Sequence, residues 1–280
     1  MAMELPPLEN HVPGDESSLV VVPLAAGEGC AKVYTFGACC VSYVYAGVEQ
    51  LAARADTKWD GTKGLSAGIP HCFPQFGPAD GRTSWSGAQH GFGRSVTWTI
   101  VGRTTSSVTM RLTLNEVGDK AEGWAFPFIV DHTVSLSADG SELSCATTVT
   151  NTGVEAFSFT AALHSYLACS DCDAVMVHGN FKGATYTDKV DDMKEKIEDR
   201  EALTLEGQFY DRVYKGVTGL LKLTDASPDK PDLELRHSIG WQDTVVRRSL
   251  CLSWAGLSRC AAAPRAVLLR AQLSVLTLIE

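Results

Sequence analysis

The chain has no run approaching the ~18 consecutive apolar residues that a membrane-spanning helix requires, so no helical span is expected. Its first ten residues carry Glu4, Pro6, Pro7 and Glu9 instead of a basic-then-apolar leader. These two absences predict a soluble, cytoplasmic protein. Positive charge is also scarce, with 24 Lys and Arg against 33 Asp and Glu and a formal net charge of −9. Phosphate-backbone affinity depends on clustered cations that displace counterions, so a nucleic-acid partner is not expected. Any anionic ligand must be held by local groups.

A disulfide framework is missing too. The nine cysteines are an odd set, and they read as reduced thiols. The stretch Cys169-Ser170-Asp171-Cys172 has CxxC spacing, but no matching second pair completes a zinc site and no helix start suggests a redox motif. Neither a metal nor another cofactor is expected. There is no internal repeat and no Gly/Ser-rich or Pro-rich linker, so residues 1–280 read as one domain.

What is present is material for a sizeable core, 45% hydrophobic residues with only 20% charged, patterned in alternation. Successive side chains of a strand point to opposite faces, so period-2 alternation marks a strand with one buried face. Val96, Trp98 and Ile100 fall on one face of such a segment, as do Val108, Met110, Leu112 and Leu114 of the next. Val134 to Val149 reads as a hairpin turning at Asp139-Gly140, and Asn151-Thr152-Gly153 is the following turn. Many short strands at close spacing predict a mainly antiparallel all-β sandwich. The charged stretch from Asp188 to Glu201 offers only Met193 and Ile197 as an i,i+4 apolar pair and reads as a solvated short helix or loop. Ser227 to Asp232, with Pro228 and Pro231, reads as a surface turn between strands.

Three clusters stand apart from the strand pattern. The Pro- and Gly-dense run from Trp59 to Gly77 is a rigid loop that either caps the end of a sandwich or lines a site. Gln89-His90-Gly91-Phe92-Gly93-Arg94 puts an amide, an imidazole and a guanidinium on one glycine-bearing turn. A planar Arg fork suits bidentate contact with phosphate and Gln suits sugar hydroxyls, although such turns also occur as structural caps. In Phe157 to Tyr166 the alternation puts Phe157, Phe159 and Leu163 on one face and Ser158, Thr160 and His164 on the other. A strand histidine on a polar face is either a structural group or a general acid working near neutral pH.

In order along the chain, Gly68-Ile69-Pro70 with Phe73-Pro74-Gln75-Phe76-Gly77, then Gln89 to Arg94, then Leu163-His164-Ser165-Tyr166, then Asp211-Arg212-Val213-Tyr214 resemble the hexose-6-phosphate mutarotases of the aldose 1-epimerase superfamily. The resemblance runs from about residue 18 to Val246. It implies a galactose-mutarotase-like super-sandwich and a metal-free interconversion of the α and β anomers of glucose 6-phosphate; the chain itself is expected to be a monomer. In that chemistry an acid protonates the ring oxygen while a base takes the proton of the anomeric hydroxyl, and the opened aldehyde rotates and recloses. By the same resemblance His164 is the general acid, Gln89 and Arg94 bind substrate, and Asp211 holds a sugar hydroxyl. His90 is expected beside them.

The sequence departs from that family pattern at two places. Ser66 stands where the family has a phosphate-holding arginine, with Lys63 or Arg82 as candidate substitutes. After Gly240 to Val246 the family continues into a Trp-Asn-Pro segment and later a catalytic Glu, whereas this chain reads Arg247-Arg248-Ser249-Leu250. From Arg247 onward there are five arginines, no lysine and one acid, Glu280, a shift that points to an altered reading frame, a missing exon or a divergent isoform. The alternating Ala271 to Leu278 resembles the family's closing strand. A chain without its base is expected to lose a factor of about 10² to 10⁴ in rate, which leaves a non-catalytic sugar-phosphate-binding protein as the alternative function.

Overall fold

The computed structural model describes residues 5–10, 19–205, 209–227, 230–238 and 240–249, together with the backbone of 265–278. The first sheet is built from β1 (Glu9–Asn10), β2 (Val20–Ala26), β3 (Gly29–Tyr34), β4 (Cys39–Tyr45) and β5 (Val48–Glu49), paired in that order. After β6 (His71–Cys72) come β7 (Thr99–Arg103), β8 (Ser107–Thr113), β9 (Phe128–Leu136) and β10 (Leu143–Asn151), a sheet in the order β10-β9-β8-β7. The remaining strands are β11 (Phe157–Cys169), β12 (Met176–His178), β13 (Thr185–Asp188), β14 (Lys194–Ile197), β15 (Ala202–Thr204), β16 (Asp211–Tyr214), β17 (Leu220–Thr224), β18 (Leu233–Arg236), β19 (Asp243–Ser249) and β20 (Arg265–Leu278). They form a seven-stranded sheet, β14-β13-β16-β19-β20-β11-β6, and a small sheet, β15-β12-β17-β18. The expected antiparallel sandwich is therefore what the chain adopts. Among the described residues no helix is long and apolar enough to cross a membrane.

Alternation decides what each sheet buries. Strand β9 alternates buried and half-buried residues along its whole length, and β2 and β3 pack across β8 and β9. In the seven-stranded sheet, Phe157, Phe159, Leu163 and Leu167 of β11 join Tyr214 and Val246 in the main core. The opposite face carries Ala162, His164, Tyr166 and Ala168. There Ala162, Cys72, Phe76 and Val245 make one small apolar cluster, and Tyr166, Ala168 and Ala52 make another. The sequence expectation for β11 thus holds in its two faces, but the His164 face is buried as well because a loop lies against it.

Several local expectations resolve in detail. The Asp139-Gly140 turn closes β9 onto β10 with Leu136 opposite Leu143. Asn151 Oδ1 accepts the Gly153 N–H at 2.9 Å, tightening the next turn. Lys230 N–H donates to Ser227 O at 3.2 Å where β17 turns toward β18; Pro228 and Asp229 of that turn lie outside the described residues. The ladder containing Trp98's segment begins only at Thr99, although Val96 and Trp98 are buried as expected. Leu114 does not extend β8; it opens a short helix, Leu114–Val117, capped by Thr113 and Glu116.

The charged stretch from Asp188 to Glu201 is a hairpin, not a short helix or loop. Strands β13 and β14 pair through Thr185 opposite Ile197 and Asp188 opposite Lys194. Asp192 and Met193 take positive φ angles of 50° and 59° in the turn, and Lys196 closes an ion pair of 3.0 Å on Asp188. Met193 and Ile197 are 60% and 71% exposed, so the stretch is solvated as expected although its backbone is a hairpin.

The beginning of the atypical tail is structural. Arg247 and Arg248 belong to β19, which pairs with both β16 and β20. The expected closing strand is β20, seated between β19 and β11. Glu280 lies outside the described residues.

Candidate active site

The Pro- and Gly-rich loop runs beside β11 and supplies the backbone partners that a central strand needs. Gly68 O accepts the Tyr166 N–H at 2.7 Å, Pro70 O the His164 N–H at 2.9 Å and Pro74 O the Thr160 N–H at 3.0 Å. Thr160 Oγ1 in turn accepts the Phe76 N–H at 2.8 Å. The loop extends the sheet beyond β11, and its Cys72 and Phe76, packed with Ala162, form a wall of the His164 face.

The turn from Gln89 to Arg94 is clamped onto that wall. His90 N–H donates to Gly77 O and Gly93 N–H to Phe73 O, each at 2.9 Å. Gly91 has φ +66°, and a Cβ there would sit 2.2 Å from Phe73 O, so only glycine permits this approach. His90 itself holds φ +69°, a left-handed conformation uncommon outside glycine, and is buried.

These contacts bring the two histidines together. The His90 and His164 rings meet edge to face with centroids 5.7 Å apart, and His164 stacks on Tyr166 at 5.1 Å. Gly77 N–H donates to His90 Nδ1 at 3.0 Å, so the neutral His90 ring carries its proton on Nε2. The exposed Gln89 side-chain amide lies 3.5 Å from that Nε2, and Gln89 O accepts from Arg94 Nη2 at 3.4 Å.

Asp211 reaches the same face by sheet register. Tyr166 lies opposite Leu268, Leu268 opposite Arg247, and Arg247 opposite Asp211. Directly opposed residues project to the same side, and so do residues two apart on one strand. Tyr166, His164, Arg247 and Asp211 therefore share one face. Asp211 is only 9% exposed and is flanked by two cations, Lys189 Nζ at 3.6 Å from Oδ1 and Arg247 Nε at 3.6 Å from Oδ2. Lys189 Nζ lies 5.5 Å above the Phe76 ring, which packs on His90 at 5.3 Å. A continuous strip of contacts thus joins His164 to Asp211.

A Cβ on Gly64 would fall 2.8 Å from Arg94 Cγ, so glycine there gives the guanidinium stem its course. Ser66 uses its carbonyl to accept the Arg54 N–H at 2.9 Å, and Lys63 is exposed one residue before Gly64. Arg82, the other candidate substitute for the missing arginine, is held by Asp80 through Nε at 2.7 Å.

Behind the site lie two buried histidines. His71 Nε2 and His132 Nδ1 converge on Thr147 Oγ1 at 3.2 and 2.8 Å, with the rings 5.1 Å apart. Burial drives the His71 pKa well below its usual value, helped by the His132 charge, and burial alone takes His132 down to about 4. Both are neutral structural groups at physiological pH. The Cys169 and Cys172 sulfurs approach to 3.4 Å and remain thiols. Among the described residues there is no group of three or more His, Cys, Asp or Glu able to hold a metal.

All five sequence-chosen residues, Gln89, His90, Arg94, His164 and Asp211, thus lie in the histidine turn or on the sheet face it joins. Sequence reasoning missed Lys189, Arg247 and Phe76. Lys189 sat in the segment read as a solvated short helix or loop, and Arg247 opened the tail that departs from the family pattern. The signal available for Lys189 was its place directly after the alternating Thr185 to Asp188; for Arg247 it was the unbroken alternation of β19.

Comparison with known proteins gives concordant results. A family model described as Aldose 1-epimerase matches residues 21–238. A protein of Cenchrus ciliaris, provisionally named glucose-6-phosphate 1-epimerase, is 27% identical over 236 residues, covering 81% of this chain and 69% of its own. One from Escherichia coli K12 with the same provisional name is 28% identical over 186 residues; the match spans 65% of this chain and 58% of the bacterial one. Among solved structures, a provisionally named mutarotase from Salmonella typhimurium superposes with a TM-score of 0.73 at 22% identity, covering 99% of this chain and 96% of its own. The Slr1438 protein of Synechocystis gives 0.74 at 18% identity, over 90% and 84% of the two chains. At these identities the superpositions establish the shared fold.

Proposed function

Because the chain belongs to the aldose 1-epimerase family, whose activity is the interconversion of sugar anomers, we propose that it acts on a hexose 6-phosphate, with glucose 6-phosphate as substrate. The observation that carries this reading is the strip from His164 through His90 to Lys189, Asp211 and Arg247. It combines two imidazoles and a carboxylate with two cations in a chain whose net charge is −9. The names of the 27% and 28% identical relatives support the same substrate.

In this reaction His164 delivers a proton to the ring oxygen as the ring bond to the anomeric carbon breaks. His90 and Tyr166 fix its ring plane, one at its edge and one by stacking. Gln89 and Asp211 bind hydroxyls, and the Arg94 guanidinium takes the phosphate in a charge-assisted contact. Proton removal from the anomeric hydroxyl requires a base. The family's glutamate has no counterpart in the sequence between Arg247 and Ile279.

That last observation favours a second reading, a sugar-phosphate-binding protein without turnover. One experiment separates the two. Pure α-glucose 6-phosphate is added to the protein and its anomers are followed by polarimetry or NMR, with calorimetry in parallel. The enzyme reading expects equilibration faster than buffer, abolished in His164→Ala. Binding with an unaccelerated rate leaves the second reading, and neither binding nor acceleration overturns both.

A further inference from the structure

Arg247 is a residue that the family pattern does not supply, and its surroundings are incomplete in an informative way. Arg247 Nε is buried without a hydrogen bond among the described residues, and so is the facing Asp211 Oδ1. Both ion pairs at this corner, Lys189 to Asp211 and Arg247 to Asp211, stand at 3.6 Å, beyond good hydrogen-bond distance. A buried donor and a buried acceptor left unmatched are each costly, so the arrangement is complementary to something that satisfies both.

The chemistry of that partner follows from the donor and acceptor count. An ionised carboxylate only accepts, whereas guanidinium and ammonium only donate. A phosphate dianion has no proton for Asp211 and would be repelled by it. A neutral hydroxyl pair fits: one hydroxyl donates to Asp211 Oδ1 while accepting from Lys189, and its neighbour accepts from Arg247 Nε. We propose that Arg247 is a substrate-contact residue which, with Asp211 and Lys189, reads two adjacent hydroxyls of the pyranose ring. The proposal rests on the sugar-binding reading above. It makes this corner a diol subsite distinct from the phosphate contact, and it gives the first residues after Val246 a role in specificity. The geometry supports it independently, since Arg247 is the directly opposed partner of Asp211 and shares the face of His164.

The test is calorimetric binding of glucose 6-phosphate, glucose, and the 2-, 3- and 4-deoxy derivatives of each. Wild type is compared with Arg247→Met, which keeps the stem length, and with Arg247→Lys, which keeps the charge. Circular dichroism and thermal melting of each variant confirm that it is folded. The expected result is about a tenfold or greater loss of affinity for the parent sugar in Arg247→Met, following the usual worth of a hydrogen bond to a charged group. That loss should shrink to nearly nothing for one deoxy derivative, because the missing hydroxyl and the missing donor belong to one contact. Arg247→Lys should fall between. An Arg247→Met variant that binds like wild type, or loses the same factor for every derivative, overturns the proposal. Wild type that binds glucose as well as glucose 6-phosphate overturns the phosphate reading while the deoxy series still decides the diol subsite. Wild type that binds no pyranose overturns both.

Discussion

Asp211 and Arg247 face each other as directly opposed residues of β16 and β19, with Arg247 Nε 3.6 Å from Asp211 Oδ2. The pair joins a residue of a family motif to the first residue of a tail unlike the family. The sheet treats them as one unit, and the following expectations concern what surrounds them.

Arg94→Ala should weaken glucose 6-phosphate binding by about tenfold to a hundredfold, the range for loss of a charge-assisted hydrogen bond. Affinity for unphosphorylated glucose should change far less. Calorimetry on both sugars checks this, and an equal loss for both would assign Arg94 to the ring instead.

Gly91→Ala should damage the site without touching a chemical group. The substitution imposes a side chain at φ +66°, costing roughly 1–2 kcal/mol, and drives its Cβ against Phe73 O. The turn carrying Gln89, His90 and Arg94 must lift from the wall. A lowered melting temperature together with a raised KM is expected; wild-type KM would show that the turn does not depend on this approach.

Stability should fall on acidification from about pH 6.5 toward 4. The folded-state pKa of His132 is about 4, below its usual 6.5, so the unfolded chain binds the extra proton and gains as pH drops. The stabilisation is complete above 6.5 and is lost as pH falls through the folded value. For a fully buried ring, 6.5 against about 4 corresponds to roughly 3 kcal/mol. His71, also pushed down, steepens the decline. Thermal melts across this range should show it, and His132→Phe should flatten part of the slope.

Glu198→Ala should be destabilising, by about 1–3 kcal/mol, because it takes the carboxylate partner from the half-buried guanidinium groups of Arg200 and Arg212. Glu198 is 3% exposed; Arg200 grips it through two hydrogen bonds of 2.7 and 2.8 Å, and Tyr214 donates at 2.7 Å. Burial would raise its carboxyl, but the Arg200 and Tyr214 hydrogen bonds outweigh that and bring the pKa down to about 2. Chemical denaturation measures the loss, and a change under 1 kcal/mol would mean that Arg200 and Arg212 find new partners.

Much of this molecule could be read before its structure. Alternation placed β8, β9 and β10, the Asp139-Gly140 turn placed a hairpin, and the two faces of β11 identified His164 as a polar-side histidine, because strand periodicity is a local property of the chain. The ordered motifs identified the family. What was not legible depended on residues far apart in sequence. Asp188 to Glu201 forms a hairpin because β16 offers β13 an edge and Lys196 pairs with Asp188, and neither is visible in the segment's own charge pattern. Tertiary structure alone decided that Phe76 and Lys189 bridge the histidines to Asp211, and that Arg247 lies opposite Asp211. Cross-strand register is set by packing the whole sheet, and a one-residue slip would have turned Arg247 away from the face it shares with His164.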